Sequence, residues 1–273
     1  RLKAAPDSRG YVTGPYLGVD EANTALKNLA ALHPALQATQ IVSDEGRVGG
    51  QAAPVADAPR FRLPGVELDA EYMSAVEKGD RDGDNLVELL RKTKKDERDK
   101  AVAAWLERNP ETAKRLEKMV VDRAETAMMN SKIRDESGKL IAVYHGTDSN
   151  FNVFDRTKTR ANMDIQGNFF SPWEEDAAGY GRNVSKFYLN ITNPATEAIG
   201  YKALRQYQGQ NGAGVKARDY LIRLGYDGVD NGGQEYIAFD PSQIKSADPV
   251  TYDDAGNVIP LSERFNEASD DIR

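Results

Sequence analysis

Leu140-Ile141-Ala142-Val143-Tyr144-His145-Gly146-Thr147 is the stretch at which this 273-residue chain changes character. Upstream, apolar residues recur at helical spacing. From about Ser131 onward they gather into short runs divided by Gly-rich turns, the mark of strands. Leu140–Tyr144, Phe187–Ile191 and Tyr236–Phe239 are read as strands, and His145 follows the first run at the end of its strand. The chain has two histidines, so one standing there is informative.

Helices are expected around these strands. Ser171-Pro172-Trp173-Glu174 has the form of a capping box with Pro at the first helical position, and should start a helix carrying Tyr180. Val215–Leu224 reads as a helix stopped by Gly225. Gly209–Gly214 lacks the Lys-Ser/Thr of a phosphate loop and reads as a flexible crossing. One internal echo stands out. Ile133–Ile141 and Thr251–Ile259 share an Asp…Gly turn between apolar residues, and both are expected to be hairpins.

Upstream of Ser131 the pattern is helical. Asn109 before Pro110 is an N-cap signal, followed by Leu116, Met119, Val120 and Ala127 at helical spacing. Ala101, Ala104, Trp105 and Leu106 mark an earlier helix, and the dense charges from Leu86 to Lys100 read as a solvated face. Asp80-Arg81-Asp82-Gly83-Asp84 imitates a calcium loop, but Asn85 stands where the loop needs Gly and Arg91 where it needs Glu. Nearer the start, Asp20–Ala31 is expected to be helical and Gly49–Pro54 to be linker.

Four segments result. Residues 1–64 are a loosely ordered stretch and linker, 65–131 a helical segment, 132–250 a compact α+β domain, and 251–273 a hairpin and polar tail, the tail after Leu261 expected to fray.

Composition narrows the function classes. Hydrophobic residues are 40% and charged residues 29% of the chain, enough apolar material for a folded domain of about 120 residues or more. No cysteine is present, which removes disulfides, thiolate metal sites and a Cys nucleophile. A net charge of −7 lacks the basic face that displaces counterions from nucleic acid, so a protein partner is preferred. No apolar run approaches the roughly 18 residues a membrane span needs, and no signal peptide is legible. The expected setting is the cytoplasm, or delivery into the cytoplasm of a target cell.

Three segments, taken in order, now carry a resemblance: Tyr144-His145-Gly146-Thr147; Gly167-Asn168-Phe169-Phe170-Ser171 running to Ala178-Gly179-Tyr180; and Gln234-Glu235-Tyr236-Ile237-Ala238-Phe239-Asp240. Together they resemble the NAD-binding site of ADP-ribosyltransferases of the diphtheria toxin and poly(ADP-ribose) polymerase class, found in phage polyvalent proteins and bacterial toxins. The resemblance implies an α+β fold with a split antiparallel β-sheet, preceded here by a mainly helical segment.

It also implies roles. His145 bonds a ribose hydroxyl of NAD, Gly146 offers its backbone to the carboxamide, and Thr147 adds a hydroxyl. Phe169 takes the place of the first Tyr and Tyr180 that of the second, both as faces for the nicotinamide ring, with Phe170 as the fallback. Glu235 is the catalytic carboxylate.

These residue types suit the chemistry. Breaking the nicotinamide–ribose bond builds positive charge on the ribose, which a carboxylate stabilises. Aromatic faces attract a cationic ring. Arg160, with Arg156 and Lys158, is a candidate for the diphosphate, and Arg182 a weaker one. Phe169 departs from the pattern by lacking a hydroxyl.

The implied partner is a macromolecular acceptor, a bacterial or host protein, with NAD as substrate and no metal. Two alternatives stay open: an NAD glycohydrolase, and a catalytically inactive NAD-binding or structural module. The competing Arg-specific toxin class is disfavoured, because Gly233 stands where that class has Glu or Gln and no Ser-Thr-Ser strand is present.

Overall fold

The computed structural model describes residues 66–81, 83–155 and 164–273. The expected helix at Asp20–Ala31 and the linker at Gly49–Pro54 lie outside the described residues. The chain divides into two units, Arg1–Glu71 and Tyr72–Arg273. Of the first, the described residues are the opening turns of helix α1 (Val66–Lys78).

The second unit opens with helices α2 (Leu86–Lys92), α3 (Arg98–Arg108) and α4 (Pro110–Ala127). Helix α4 buries Leu116, Met119, Val120 and Ala124, a stripe at helical spacing. Its start differs from expectation. Asn109 occupies the N-cap position, but its side chain makes no cap bond to the helix. Asn109 is fully buried, and its amide instead donates to Asp84 and to the Trp105 carbonyl. The cap comes from Asp80, whose carboxylate accepts from the Glu111 and Thr112 backbone N–H groups and from the Thr112 hydroxyl. The acidic loop that imitates a calcium site is therefore the staple of this helix corner.

The charges from Leu86 to Lys100 are not all solvated. Arg98 is 8% exposed, and its guanidinium donates to the carbonyls of Thr93, Asp254 and Ala255. It thereby docks helix α3 onto the second hairpin. That hairpin and its echo share one geometry. Asp135 N–H bonds Lys139 O and Ile141 N–H bonds Ile133 O; Asp253 N–H bonds Asn257 O and Ile259 N–H bonds Thr251 O. Each turn uses a left-handed Gly, Gly138 at φ 83° and Gly256 at φ 87°.

Beyond the first hairpin come β1 (Val143–Thr147), β2 (Asn168–Phe170), helix α5 (Glu174–Ala178), β3 (Asn183–Leu189) and β4 (Pro194–Thr196). Then follow α6 (Glu197–Gln206), α7 (Ala213–Arg223), β5 (Gly228–Asp230), β6 (Tyr236–Ala238) and β7 (Ile244–Ser246). The strands form two half-sheets, one ordered β1-β3-β7 and the other β2-β6-β5-β4. All pairs are antiparallel except β4 with β5, whose parallel pairing is made possible by the α6–α7 crossover. The α+β class and the split antiparallel sheet behind a helical segment are as expected from the sequence.

A backbone bridge ties the two halves together. Tyr144 and Ser171 exchange both backbone hydrogen bonds, at 2.7 and 3.0 Å, tying β1 to the end of β2. One core, with Val143, Phe154, Phe170, Phe187 and Leu189, fills the junction. A second, with Ile165, Ala203, Ala217, Leu221, Val229 and Ile237, lies between the second half-sheet and helices α6 and α7.

The closing residues do not fray. Ile272 is 9% exposed and joins the first core, and the buried Lys245 ammonium donates to the carbonyls of Ser269 and Asp271. A buried ammonium needs such partners, and the backbone of the tail supplies them.

Candidate active site

His145 sits in the middle of β1 rather than at its end, across from Ser185 of β3. Its Nδ1 lies 2.8 Å from the carbonyl oxygen of Phe169 on β2. Rings surround it: Phe154 at 5.0 Å, Phe170 at 5.5 Å and Phe151 at 6.2 Å between centroids. Burial among them pushes the imidazole below its ordinary pKa, against a smaller upward pull from the Phe169 carbonyl.

Gly146 follows on the same strand. Tyr144 turns its N–H and C=O toward Ser171, so by the two-residue alternation of a strand Gly146 turns its own the same way, into the split. Gly146 also permits a close approach. A Cβ built there would collide with the Ala177 carbonyl oxygen of helix α5, and one at Gly181 would collide with the Thr147 backbone. Each glycine therefore lets the α5 turn lie directly on β1. Thr147 closes the strand, its hydroxyl oxygen accepting from Ser149 N–H at 3.1 Å.

The aromatic positions separate. Phe170 is 2% exposed, belongs to the first core and packs against the His145 ring, so it has no open face. Phe169, on the opposite side of β2, is half-buried against the second core. Tyr180 is 72% exposed. It lies two residues past the end of α5, not on the helix. The expected capping box also differs. The helix begins at Glu174 with Trp173 as N-cap, while the Ser171 hydroxyl accepts from Trp173 N–H and donates to Asp176.

Glu235 precedes β6, on the tight turn Asn231–Glu235 with Gly232 and Gly233 at φ 65° and 76°. Continuing the β2–β6 register one residue past Phe170 and Tyr236 sets Ser171 across from Glu235. Strand β2 thus stands between His145 on one side and Glu235 on the other. Glu235 is half-buried, and Asn231 donates to its Oε1 at 2.8 Å. Burial raises its carboxyl above the ordinary value; the Asn231 bond pulls it down, and Asp164 nearby pushes it up.

Of the basic candidates, Arg156, Lys158 and Arg160 lie outside the described residues. Arg182 is exposed and pairs with Asp148 at 3.2 Å. Among the described residues no group of His, Cys, Asp and Glu could hold a metal. No helix among them is long and apolar enough to cross a membrane. A cavity of about 440 Å³ lies among Asp253, Ile259, Pro260, Glu263 and Asn266, and includes none of the site residues.

Residues the sequence reading passed over also shape the site. Asn231 orients Glu235, Gly181 admits the α5 turn, and Phe151 and Phe154 enclose His145; Ser171, read only as a helix cap and motif residue, joins the half-sheets. Only Asn231 left a local signal, as the residue opening an Asn-Gly-Gly turn before Glu235.

Residues 135–252 match the model of a family described as ADP-Ribosyltransferase in polyvalent proteins. That segment is similar to ADP-ribosyltransferase domains, and in particular to those of polyvalent proteins. The match covers fewer than half of the 273 residues. No curated protein matches the chain. A solved structure described as "Crystal structure of an anti-CRISPR protein" is similar at 16% identity over 36% of this chain and 88% of its own, with a TM-score of 0.25.

Proposed function

We propose that the domain at 132–250 cleaves NAD between nicotinamide and ribose and transfers ADP-ribose to a macromolecular acceptor, a protein of a bacterial or host cell. The observation that carries this reading is the His145–Phe169 hydrogen bond. A carbonyl only accepts, so Nδ1 must hold the hydrogen and Nε2 keeps its lone pair for a ribose hydroxyl.

The other residues suit the remaining tasks. Gly146 presents backbone N–H and C=O groups to a carboxamide, one donor and one acceptor for a group that has both. Phe169 and Tyr180 offer faces to the pyridinium ring. The hydroxyl of Thr147 supports the ribose side, and Arg160 is our candidate for the diphosphate.

As the C–N bond breaks, its electron pair leaves with nicotinamide and positive charge develops on the ribose. Glu235 stabilises that charge and bonds the ribose 2′-hydroxyl. The acceptor's nucleophile then forms the new bond to the ribose carbon, and its proton passes to the Glu235 carboxylate. A carboxyl whose basicity is raised by burial favours that uptake. We place such a protein among phage or bacterial effectors and toxins, acting in the cytoplasm of the target cell. The polyvalent-protein match supports that setting.

One observation favours a second outcome. Tyr180 is 72% exposed, which leaves its side of the site open to water. Water as nucleophile would make the protein an NAD glycohydrolase. The test is labelling of a bacterial lysate with biotin-tagged NAD, comparing the parent with Glu235→Gln. Labelled bands that vanish in the variant support transfer. Released nicotinamide without bands supports hydrolysis, and neither signal supports an inactive NAD-binding or structural module.

A further inference from the structure

The first half-sheet continues past β7. Ser246 N–H donates to Ile272 O at 2.7 Å, and Ile272 N–H donates to Asn152 O at 2.9 Å. Val153 and Asp271 form an antiparallel bridge. Residues 271–272 therefore lie as an added rung between β7 and the Asn152–Val153 backbone. The segment Ser262–Arg273 that supplies this rung falls outside the residues matched by the family model.

Three anchors hold the segment. Lys245 is 2% exposed, and its Nζ donates to Ser269 O at 2.6 Å and Asp271 O at 2.8 Å. Phe265 is 4% exposed at φ 61°, a left-handed conformation that a bulky residue keeps only where its surroundings fix it. Its ring lies 6.4 Å from Tyr188 and 5.5 Å from the Arg264 guanidinium. Ile272 packs into the core with Phe154, Phe170 and Phe187.

The Asn152–Val153 backbone is flanked by Phe151 and Phe154, the two rings that meet His145 edge-on at 6.2 and 5.0 Å. Fixing that backbone fixes both rings. We infer that the Ser262–Arg273 strap positions His145, with Ile272 and Lys245 as positioning residues that hold the Phe151–Phe154 backbone and, through its rings, the imidazole. For its effect on turnover this rests on the proposed NAD site; for its structural content it does not.

His145 itself can report the coupling. It and His33 are the only imidazoles in the chain, and a His33→Gln variant assigns them. The ring contacts Phe151, Phe154 and Phe170 and bonds the Phe169 carbonyl, and burial and that bond, with no charged group, set its shift, so its titration reads packing.

The experiment is NMR titration of the histidine-labelled full chain in the parent, Ile272→Ala, Lys245→Met and Leu221→Ala. Leu221 is fully buried in the other core and serves as a control for general loosening. The parent midpoint should lie below the ordinary histidine value. Ile272→Ala and Lys245→Met should raise it by about 0.5 pH unit or more, as desolvation of the ring is relieved. Leu221→Ala should leave it in place. With NAD, the strap variants should raise KM by about 3- to 10-fold with a smaller change in kcat, as expected for lost ground-state positioning.

An unmoved midpoint in both strap variants overturns the inference, and so does an equal rise in Leu221→Ala. Should Ile272→Ala fail to fold, Lys245→Met carries the test, because Met fills much of the same volume without the ammonium. A parent that does not turn over NAD sinks the proposed function while the titration still decides the strap.

Discussion

The Nδ1 of His145 lies 2.8 Å from the carbonyl oxygen of Phe169, a contact that joins β1 to β2 through a side chain just where the half-sheets part. It fixes the tautomer and leaves Nε2 as an acceptor.

The first prediction follows from the burial that lowers this imidazole's pKa. The unfolded chain takes up its proton near 6.5, the folded chain only at lower pH. Stability from His145 is therefore full above 6.5 and is lost as pH falls through the folded value. Protonation there also removes the Nε2 lone pair. NAD affinity should stay flat down through 6.5 and weaken only as pH falls through the lower folded value, and His145→Gln should bind more weakly with that pH dependence gone. Calorimetric titration between about pH 5 and about pH 8 checks this. A pH dependence that survives in the variant would assign it to another group.

A second prediction concerns Glu235, whose carboxyl is raised first by burial. A raised acid stabilises the fold below its unfolded value and loses that contribution as pH rises through the folded one. At neutral pH the charged form is thus held at a cost. Glu235→Gln keeps an oxygen for Asn231 and removes the charge, so its melting temperature should equal or exceed the parent's. NAD turnover should drop by about 10²- to 10³-fold, the scale of a lost electrostatic stabiliser. Scanning calorimetry and nicotinamide release measure the two halves. A variant that turns over at the parental rate would remove Glu235 from the mechanism.

His145 and Glu235 stand out in the sequence for a physical reason. Each adjoins a short apolar run, Leu140–Tyr144 or Tyr236–Phe239, and such patterning is local. The paired hairpins were legible too, because an Asp…Gly turn needs a left-handed residue at a fixed offset. What escaped was long-range. Asn109 reads as a cap, yet its amide is claimed by Asp84, leaving the cap to Asp80 some thirty residues upstream. Ser171 reads as a capping box, yet its backbone is taken by Tyr144 and the helix starts later. The polar segment after Leu261 reads as frayed, because the carbonyls that hold it to Lys245 carry no side-chain signature.

The Asp80 cap gives a third prediction. Asp80's pKa is lowered, first by the Thr112 hydroxyl; burial opposes this, and the Thr112 and Glu111 backbone N–H groups then add to the lowering. A lowered acid stabilises the fold above its unfolded value of 3.8 and loses that contribution as pH falls through the folded value. Asp80→Ala should melt at a lower temperature than the parent at neutral pH, and the two curves should converge in acid. Asp80→Asn should fall between them, since an amide oxygen still accepts at an N-cap. Parallel curves at every pH would show that the carboxylate charge plays no part.

The interlock of Gly146 and Gly181 gives the last. A Cβ at Gly146 meets the Ala177 carbonyl and one at Gly181 meets the Thr147 backbone, so neither can be admitted without parting β1 from the α5 turn. Backbone cannot rotate away as a side chain can, and overpacking of this kind should cost about 2–4 kcal/mol for either Gly→Ala change. Gly209 is the instructive contrast. It has φ 77° but nothing within 4 Å of a built Cβ, so Gly209→Ala bears the dihedral cost alone, about 1–2 kcal/mol. The two kinds of glycine also differ in what they disturb. Gly146→Ala and Gly181→Ala displace Tyr180 and the backbone facing the split, and should weaken NAD binding at temperatures where the protein is still folded. Gly209→Ala should bind NAD as the parent does. Melting curves paired with NAD titrations on the three variants separate these outcomes. Equal affinity across all three would mean that the α5 turn does not contribute to the site.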